Sequence, residues 1–296
     1  MSTPAAPLCL APRAVEEMPR RPLPPGSCDA HIHVFGDTGR HPLHPLGLYT
    51  PQVCTLDMYR AVMARGGAER AVLVQPSVYG TDNTLLADAL REGGEAFRGV
   101  VVPAAGTGEP ELAALRAIGV RGIRLNLVNP SVLGIDEALA LSERAAALGW
   151  HLQLQVTLDS AAGAEALQHV AARATVPIVV DHMGRPGPGH SPTALLALLA
   201  SGRAWVKLSA PYRYSRAPAP DHADVIALAR SLIAANPEQV VWGSDWPHCE
   251  LFDAVPRDAD LIDLVSTWAP DEATLHRLCV DNPARLYGFG ETPSRG

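Results

Sequence analysis

Residues 28–34 read CDAHIHV, and the two histidines of that run, His31 and His33, stand one residue apart. On a β-strand, side chains two positions apart leave the same face, so both imidazoles would project together from one strand. Neighbouring imidazoles can hold a divalent cation, or they can donate hydrogen bonds to an oxygen that gathers negative charge. Later in the chain VVDHMGRP supplies His182 and Arg185, and VWGSDWPH supplies Asp245, each at the end of a short apolar run. A carboxylate beside imidazoles is a proton acceptor for an attacking water. Taken singly, each residue has a duller explanation: a satisfied core histidine, a turn-capping aspartate, an arginine paired with a surface carboxylate. Their recurrence at the same place relative to successive apolar runs gives the set its weight.

Those runs are short and rich in Val and Ile: 28–34, 70–75, 97–102, 120–125, 150–156, 176–181, 204–209 and 239–244. Near-continuous apolar runs are the signature of buried parallel strands. Between them lie Ala- and Leu-rich stretches with helical spacing, such as EALALSERAAALG (137–149) and SAAGAEALQHVAARA (160–174). Eight strands, each followed by helix, predict an α/β fold closed as a (β/α)8 TIM barrel. A doubly wound open sheet is the competitor, but the first turn, HVFGDTGRHPL, lacks the G-x-G-x-x-G spacing of its phosphate loop. The expected organisation is a Pro-rich N-terminal arm over residues 1–26 and one catalytic domain over 27–296.

In a barrel, chemistry gathers at the C-terminal strand ends. Reading those ends gives His31 and His33 on strand one, Gln75 and Ser77 after strand two, and Arg124 and Asn126 on strand four. They continue with Gln153 and Gln155 on strand five, His182 and Arg185 after strand six, Ser209 and Arg213 after strand seven, and Asp245 after strand eight. The long segment after strand one (about 35–55) carries His41, His44 and Tyr49 and is placed to build the substrate site. His41, His44, His248, Asp82 and Asn83 read as turn or capping residues. His151 begins its strand and so faces the opposite end of the barrel. In DNPARLYGF, Asn282 is expected to N-cap a short terminal helix with Pro283 at its first position.

Composition bounds the partners. Hydrophobic residues make up 47% and charged residues 19%, ordinary for a globular enzyme, and a formal net charge of −7 argues against binding a phosphate backbone. No run is long and apolar enough to cross a bilayer, and the first residues lack the apolar core of a signal peptide. The five cysteines are scattered without a CxxC pair, which suggests reduced thiols. A cytoplasmic enzyme acting on a small molecule is the expectation, with no nucleic-acid or membrane partner and with a homo-oligomer allowed.

DAHIHVFG, GTDN, RGIRLN, VVDHMGRP and VWGSDWPH, in this order, resemble the amidohydrolase superfamily, and within it the lactone-acting branch of the 2-pyrone-4,6-dicarboxylate lactonases and their relatives. The resemblance covers nearly the whole chain after residue 26. It implies that His31, His33 and His182 contact a reacting carbonyl and that Asp245 is the general base. It also implies that Tyr49, Ser77, Arg124 and Arg213 hold substrate. Two positions depart from the branch: Pro130 stands where a basic residue would grip a carboxylate, and Gln155 where a tyrosine would stand. A substrate other than the pyrone dicarboxylate, or a different binding mode, follows.

The residues alone leave metal use open. Arg124 cannot ligate a cation and glutamine is a poor zinc ligand, so a zinc ion would rest on His31, His33, His182 and Asp245. The resemblance implies catalysis without a cofactor. The expected activity is hydrolysis of a small anionic lactone of the pyrone dicarboxylate, muconolactone or sulfomuconolactone type, with Asn126, Gln155 and Arg185 also in the substrate site. The alternatives are isomerisation or hydrolysis of a sugar-acid lactone, and zinc-dependent decarboxylation of an aromatic or unsaturated acid.

Overall fold

A computed structural model describes residues 6–129, 132–187 and 192–290. The departure at Pro130 therefore lies outside the described residues. Eight parallel strands follow one another in chain order around a single sheet: β1 (Ser27–Ile32), β2 (Ala68–Val74), β3 (Phe97–Val101), β4 (Val120–Asn126), β5 (His151–Gln155), β6 (Ile178–Val180), β7 (Ala204–Ser209) and β8 (Val240–Gly243). Helices α1 (Leu56–Gly66), α2 (Thr84–Gly93), α3 (Glu109–Ala117), α4 (Ile135–Ala145), α5 (Ala161–Arg173), α6 (Thr193–Ala200), α7 (Ala223–Ala235) and α8 (Asp258–Trp268) alternate with the strands. The short α9 (Glu272–His276) and α10 (Asn282–Tyr287) end the fold. This is the (β/α)8 architecture that the spacing of apolar runs predicts.

The seam between β1 and β8 closes the barrel. Ile32 bridges Trp246 in parallel, the Asp245 N–H donates to the His31 carbonyl at 2.9 Å, and the His33 N–H donates to the Trp246 carbonyl at 2.8 Å. Buried Asp29 fastens the same seam: Oδ1 accepts from the Ser244 N–H at 2.8 Å and the His31 N–H at 3.1 Å, and Oδ2 accepts from the Tyr59 hydroxyl at 2.9 Å. The strands approach so closely that a Cβ on Gly243 would lie 2.8 Å from His31 Cβ and 2.9 Å from its backbone nitrogen.

Within the barrel the lining changes character along its axis. Cys28, Ala30, Val72, Val74, Val100 and Val241 pack with Tyr287 and Phe289 as an apolar plug. Arg124, Gln153, Asp181 and Lys207 are buried polar groups on β4, β5 and β7 and just after β6. The terminal helix departs from expectation. The chain enters α10 already helical, Asp281 having φ −72° and ψ −49°, so no capping position exists. Asn282 is instead the first residue of α10, and its buried amide donates to the carbonyls of Pro237 (2.8 Å) and Val240 (2.7 Å), tying the helix to the base of β8.

Residues 7–10 run extended across the barrel mouth. Thr50 N–H donates to the Pro7 carbonyl at 2.7 Å, Cys9 N–H to the Thr50 carbonyl at 2.8 Å, and Leu10 N–H to the Leu251 carbonyl at 3.0 Å. Among the described residues no helix is long and apolar enough to cross a membrane.

Two expected outcomes follow from this packing. Gly243→Ala forces a methyl group into the β1–β8 seam and should cost about 1–3 kcal/mol, read as a lowered denaturation midpoint; wild-type stability would show that the seam tolerates separation. His151 lies at the other end of β5, edge-on to Tyr287 at 5.4 Å, and neither ring nitrogen has a hydrogen-bond partner among the described residues. Burial, helped by the Lys207 charge, pushes its pKa down to about 3. The native ring stays neutral while the unfolded chain takes up a proton near pH 6.5, so this contribution to stability is present above pH 6.5 and lost as pH falls toward 3. His151→Leu should flatten the dependence of unfolding free energy on pH between 6.5 and 5 by about 1 kcal/mol per pH unit. An unchanged slope would contradict this.

Candidate active site

The seam delivers His31, His33 and Asp245 to one point. His31 is the penultimate residue of β1, His33 follows the end of that strand, and Asp245 lies two residues past β8 with φ +67°. His182 begins a tight turn after β6 in which His182, Met183 and Arg185 all take left-handed backbone angles (φ 53°, 54° and 45°). These turns aim three imidazole Nε2 atoms at Asp245 Oδ1: His31 at 3.6 Å, His33 at 3.6 Å and His182 at 3.8 Å. The His31 ring centroid lies 5.0 Å from that of His33 and 4.7 Å from that of His182. His31 Nε2 and Asp245 Oδ1 are both buried without a hydrogen-bond partner among the described residues. Such orphaned atoms, facing each other across a gap, mark a place for a reacting molecule.

The other carboxylate oxygen is fully engaged. Asp245 Oδ2 accepts from Arg213 Nε at 2.7 Å and the Tyr212 hydroxyl at 2.8 Å. Burial alone would raise the carboxyl pKa, but the Arg213 guanidinium, then His182 and His33, prevail and hold it well below the usual carboxylate range. Asp245 is therefore ionised at neutral pH, with only Oδ1 free to take a proton. Tyr212 is itself steadied by His248, whose Nδ1 lies 3.0 Å from the phenol oxygen and whose Nε2 lies 3.1 Å from Asp258.

Each imidazole has a different partner on its far side. His33 Nδ1 donates to the Val74 carbonyl at 2.7 Å, so its neutral ring shows a lone pair at Nε2. His182 Nδ1 lies 2.8 Å from Ser209 Oγ, a group that can give or take a proton. Burial, reinforced by Arg213 and Arg185 and opposed by Asp245 and Asp181, pushes the His182 pKa down to about 3. Behind His31 stands Lys207, whose Nζ donates to the Ala30 carbonyl at 2.9 Å and to Gln153 Oε1 at 2.7 Å; His31 Nδ1 lies 3.3 Å from that Nζ and 3.3 Å from Asp181 Oδ1. Burial and then the Lys207 charge lower the His31 pKa well below its ordinary value, Asp181 opposing.

His33, Tyr49, Ser77, Arg124, Asn126, Gln155, His182, Arg213 and Asp245 line one pocket together with Asn129, Cys249 and Glu250. Arg124 donates to the Gln75 carbonyl at 2.8 Å and to Gln155 Oε1, while its Nε is buried without a partner among the described residues. Asn126 Oδ1 accepts from the N–H groups of Val128 (2.9 Å) and Asn129 (3.0 Å), closing the turn after β4. The Tyr49 hydroxyl faces Ser77 and Cys249. Two expected site residues do not line this pocket: His31, fully buried just beneath it, and Arg185, whose Nε is buried without a partner among the described residues. Arg213 lines the pocket while pairing with Asp245, with the Cys249 carbonyl at 2.9 Å and with Glu250 at 3.5 Å.

Sequence reading passed over Lys207, Asp181, Tyr212, Cys249, Glu250 and Asn129. Lys207 left a signal: an ionisable residue in the middle of the apolar run AWVKLS. His248, read as a turn residue, carries the support of Tyr212. Asp82 and Asn83 act as read, Asp82 accepting from the Thr84 N–H and Asn83 pinning Val102.

Two groups have donor atoms close enough for a metal ion, His31 with His33 and Asp245, and His31 with Asp181 and His182. Whether the first group can take a zinc ion turns on which nitrogen of His31 carries the proton. A neutral imidazole that accepts a hydrogen bond at Nδ1 carries its proton on Nε2, and a protonated nitrogen is no ligand. His31 belongs to both groups, and the ammonium behind it adds like-charge repulsion.

The family model described as Amidohydrolase matches residues 28–289. A 4-sulfomuconolactone hydrolase of Rhizobium radiobacter is 37% identical over 292 residues, covering 95% of this chain and 96% of the relative. A 2-pyrone-4,6-dicarboxylate hydrolase of Comamonas testosteroni is 34% identical over 284 residues, covering 91% and 92%. A ligand-free crystal structure from Agrobacterium tumefaciens superposes with a TM-score of 0.82 at 30% identity, over 93% of this chain and 100% of that one. The match over residues 28–289 and relatives of this identity along nearly their whole length make the chain a member of the amidohydrolase family.

Proposed function

We propose that this protein is a lactone hydrolase that opens a small anionic lactone without a metal ion. One observation carries the reading: a single free carboxylate oxygen, Asp245 Oδ1, stands 3.6 Å from the Nε2 atoms of both His31 and His33. The relatives named as sulfomuconolactone and pyrone dicarboxylate hydrolases support the substrate class.

The lactone carbonyl oxygen is placed at His31 Nε2–H, which donates to it more strongly as negative charge grows there. Water sits between Asp245 Oδ1 and His33 Nε2, two acceptors that take its two O–H groups and turn its lone pair toward the carbonyl carbon. This differs from the expectation that all three imidazoles donate to the carbonyl, because His33 spends its N–H on Val74. Attack forms the new C–O bond and passes a proton to Asp245 Oδ1. Collapse breaks the ring C–O bond, and Asp245 returns that proton to the departing oxygen. A carboxylate held by Arg213 is a weak base, which suits an ester carbonyl polarised in a dry site better than an amide. Arg124, with its unpartnered Nε on the pocket wall, receives the carboxylate or sulfonate of the substrate. The five cysteines are buried and unpaired, in keeping with a cytoplasmic enzyme.

A panel of pyrone, muconolactone, sulfomuconolactone and aldonolactone substrates, assayed in heavy-oxygen water with metal content measured on the same sample, tests the reading. One solvent oxygen should enter the new carboxylate, and chelation should leave the rate unchanged. Absence of solvent oxygen would point to acyl transfer between hydroxyls, and activity tracking zinc content would overturn the metal-free step. Asp245→Asn should abolish turnover with substrate affinity held within about tenfold; more than a tenth of the wild-type rate would remove Asp245 as base. Arg124→Met should raise KM, and an unchanged KM would take it out of the anion site. Arg213→Met frees Asp245 from its cation and raises its pKa, so the acid limb of kcat/KM should move to higher pH by about one to three units. A fixed acid limb would show that another group sets it.

A further inference from the structure

We propose that Lys207 is a positioning residue that fixes the proton of His31 on Nε2 and thereby keeps the cluster a hydrogen-bond donor to substrate instead of a metal site. Lys207 lies in the middle of β7, fully buried, in a register that points it across the barrel interior. Its three N–H bonds have three near acceptors, the Ala30 carbonyl, Gln153 Oε1 and His31 Nδ1, with Asp181 Oδ1 farther off at 3.5 Å. The second acceptor is fixed in turn, because Gln153 Nε2 donates to Asp181 Oδ2 at 3.0 Å and so shows its oxygen to the lysine. An ammonium has no lone pair, so where it donates to Nδ1 that nitrogen is the unprotonated one, and the remaining proton of a neutral ring stands on the nitrogen aimed at Asp245.

A competing acceptor is built in alongside. Asp181 Oδ1 is 3.3 Å from the same His31 Nδ1 and has no hydrogen-bond partner among the described residues. With the ammonium removed, Nδ1–H would turn to Asp181, and Nε2 would expose its lone pair beside His33 Nε2 and Asp245 Oδ1. That is the carboxylate–imidazole arrangement that orients a metal-ligating histidine. One side chain on β7 thus selects between two uses of the same imidazoles, supplying at the back of the ring a positive charge in place of an ion at its front.

The consequence for turnover rests on the lactonase reading; the tautomer and the metal affinity are read with no substrate present, so the two can fail separately. Imidazole nitrogen NMR of the whole metal-stripped protein, with His31 assigned by its loss in His31→Asn, should show wild-type His31 protonated at Nε2 and bare at Nδ1. A proton on Nδ1 would overturn the proposal without any Lys207 variant. Lys207→Met, and Lys207→Leu for the case in which the methionine variant does not fold, should move that proton to Nδ1 and bind zinc at least about a hundredfold more tightly than wild type by competition with a chelator. Without metal, either variant should lose about a hundredfold in kcat, the scale of one lost oxyanion donor. A folded variant in which His31 keeps its Nε2 proton, or in which zinc affinity stays at the wild-type level, would overturn it.

Discussion

Closing a parallel barrel requires its first and last strands to hydrogen-bond, and here the last bonds of that seam lie directly beneath the reacting atoms. The Asp245 N–H holds the His31 carbonyl and the His33 N–H holds the Trp246 carbonyl, so backbone pairing alone sets the base against two imidazoles that are more than two hundred residues away in the chain. Gly243 allows the approach, and Asp29 binds both sides at once. Burial raises the Asp29 pKa to about 6 in spite of those donors, which measures how far from water the seam sits. Geometry that catalysis needs is thereby maintained by the same bonds that hold the fold.

Above the apolar plug, the barrel interior is a buried electrolyte of limited size. Asp181 and Lys207 lie 3.5 Å apart, Arg124 approaches Asp181 at 3.8 Å, and Gln153 links carboxylate to ammonium. Each charge is tolerable because its partners are in place; removing one partner of such a buried pair costs about 3–5 kcal/mol. Burial lowers the Lys207 pKa to about 8, with Asp181 working against the fall. In the proposed reading this polar layer stands in for an ion: its own cation lies behind the imidazole that acts as the electrophile.

The eight strands, His31, His33, His182 and Asp245 were legible because they depend on local patterns. Apolar runs mark strands, and polar residues at their C-terminal ends mark the mouth. Relations between strands were not legible. Nothing local in AWVKLS says that Lys207 reaches across the barrel to β1, and the far-side partners of His31 and His33 come from β7 and β2. Arg213, which the resemblance puts on the substrate, does line the pocket, but its ion pairs with Asp245 and Glu250 were not legible from SAPYR. Asn282 looked like a cap because N-P often starts a helix, yet the preceding turn was already helical and freed its amide to brace β8.

The claim on which all of this turns is that the lactone oxygen meets an imidazole N–H with no ion between them. A crystal structure of Asp245→Asn holding an intact anionic lactone, with diffraction recorded on both sides of the zinc absorption edge, tests it directly. The carbonyl oxygen should lie about 2.7–3.1 Å from His31 Nε2, with no anomalous peak among the three imidazoles. A zinc peak at their centre, or a carbonyl turned away from His31, would contradict it.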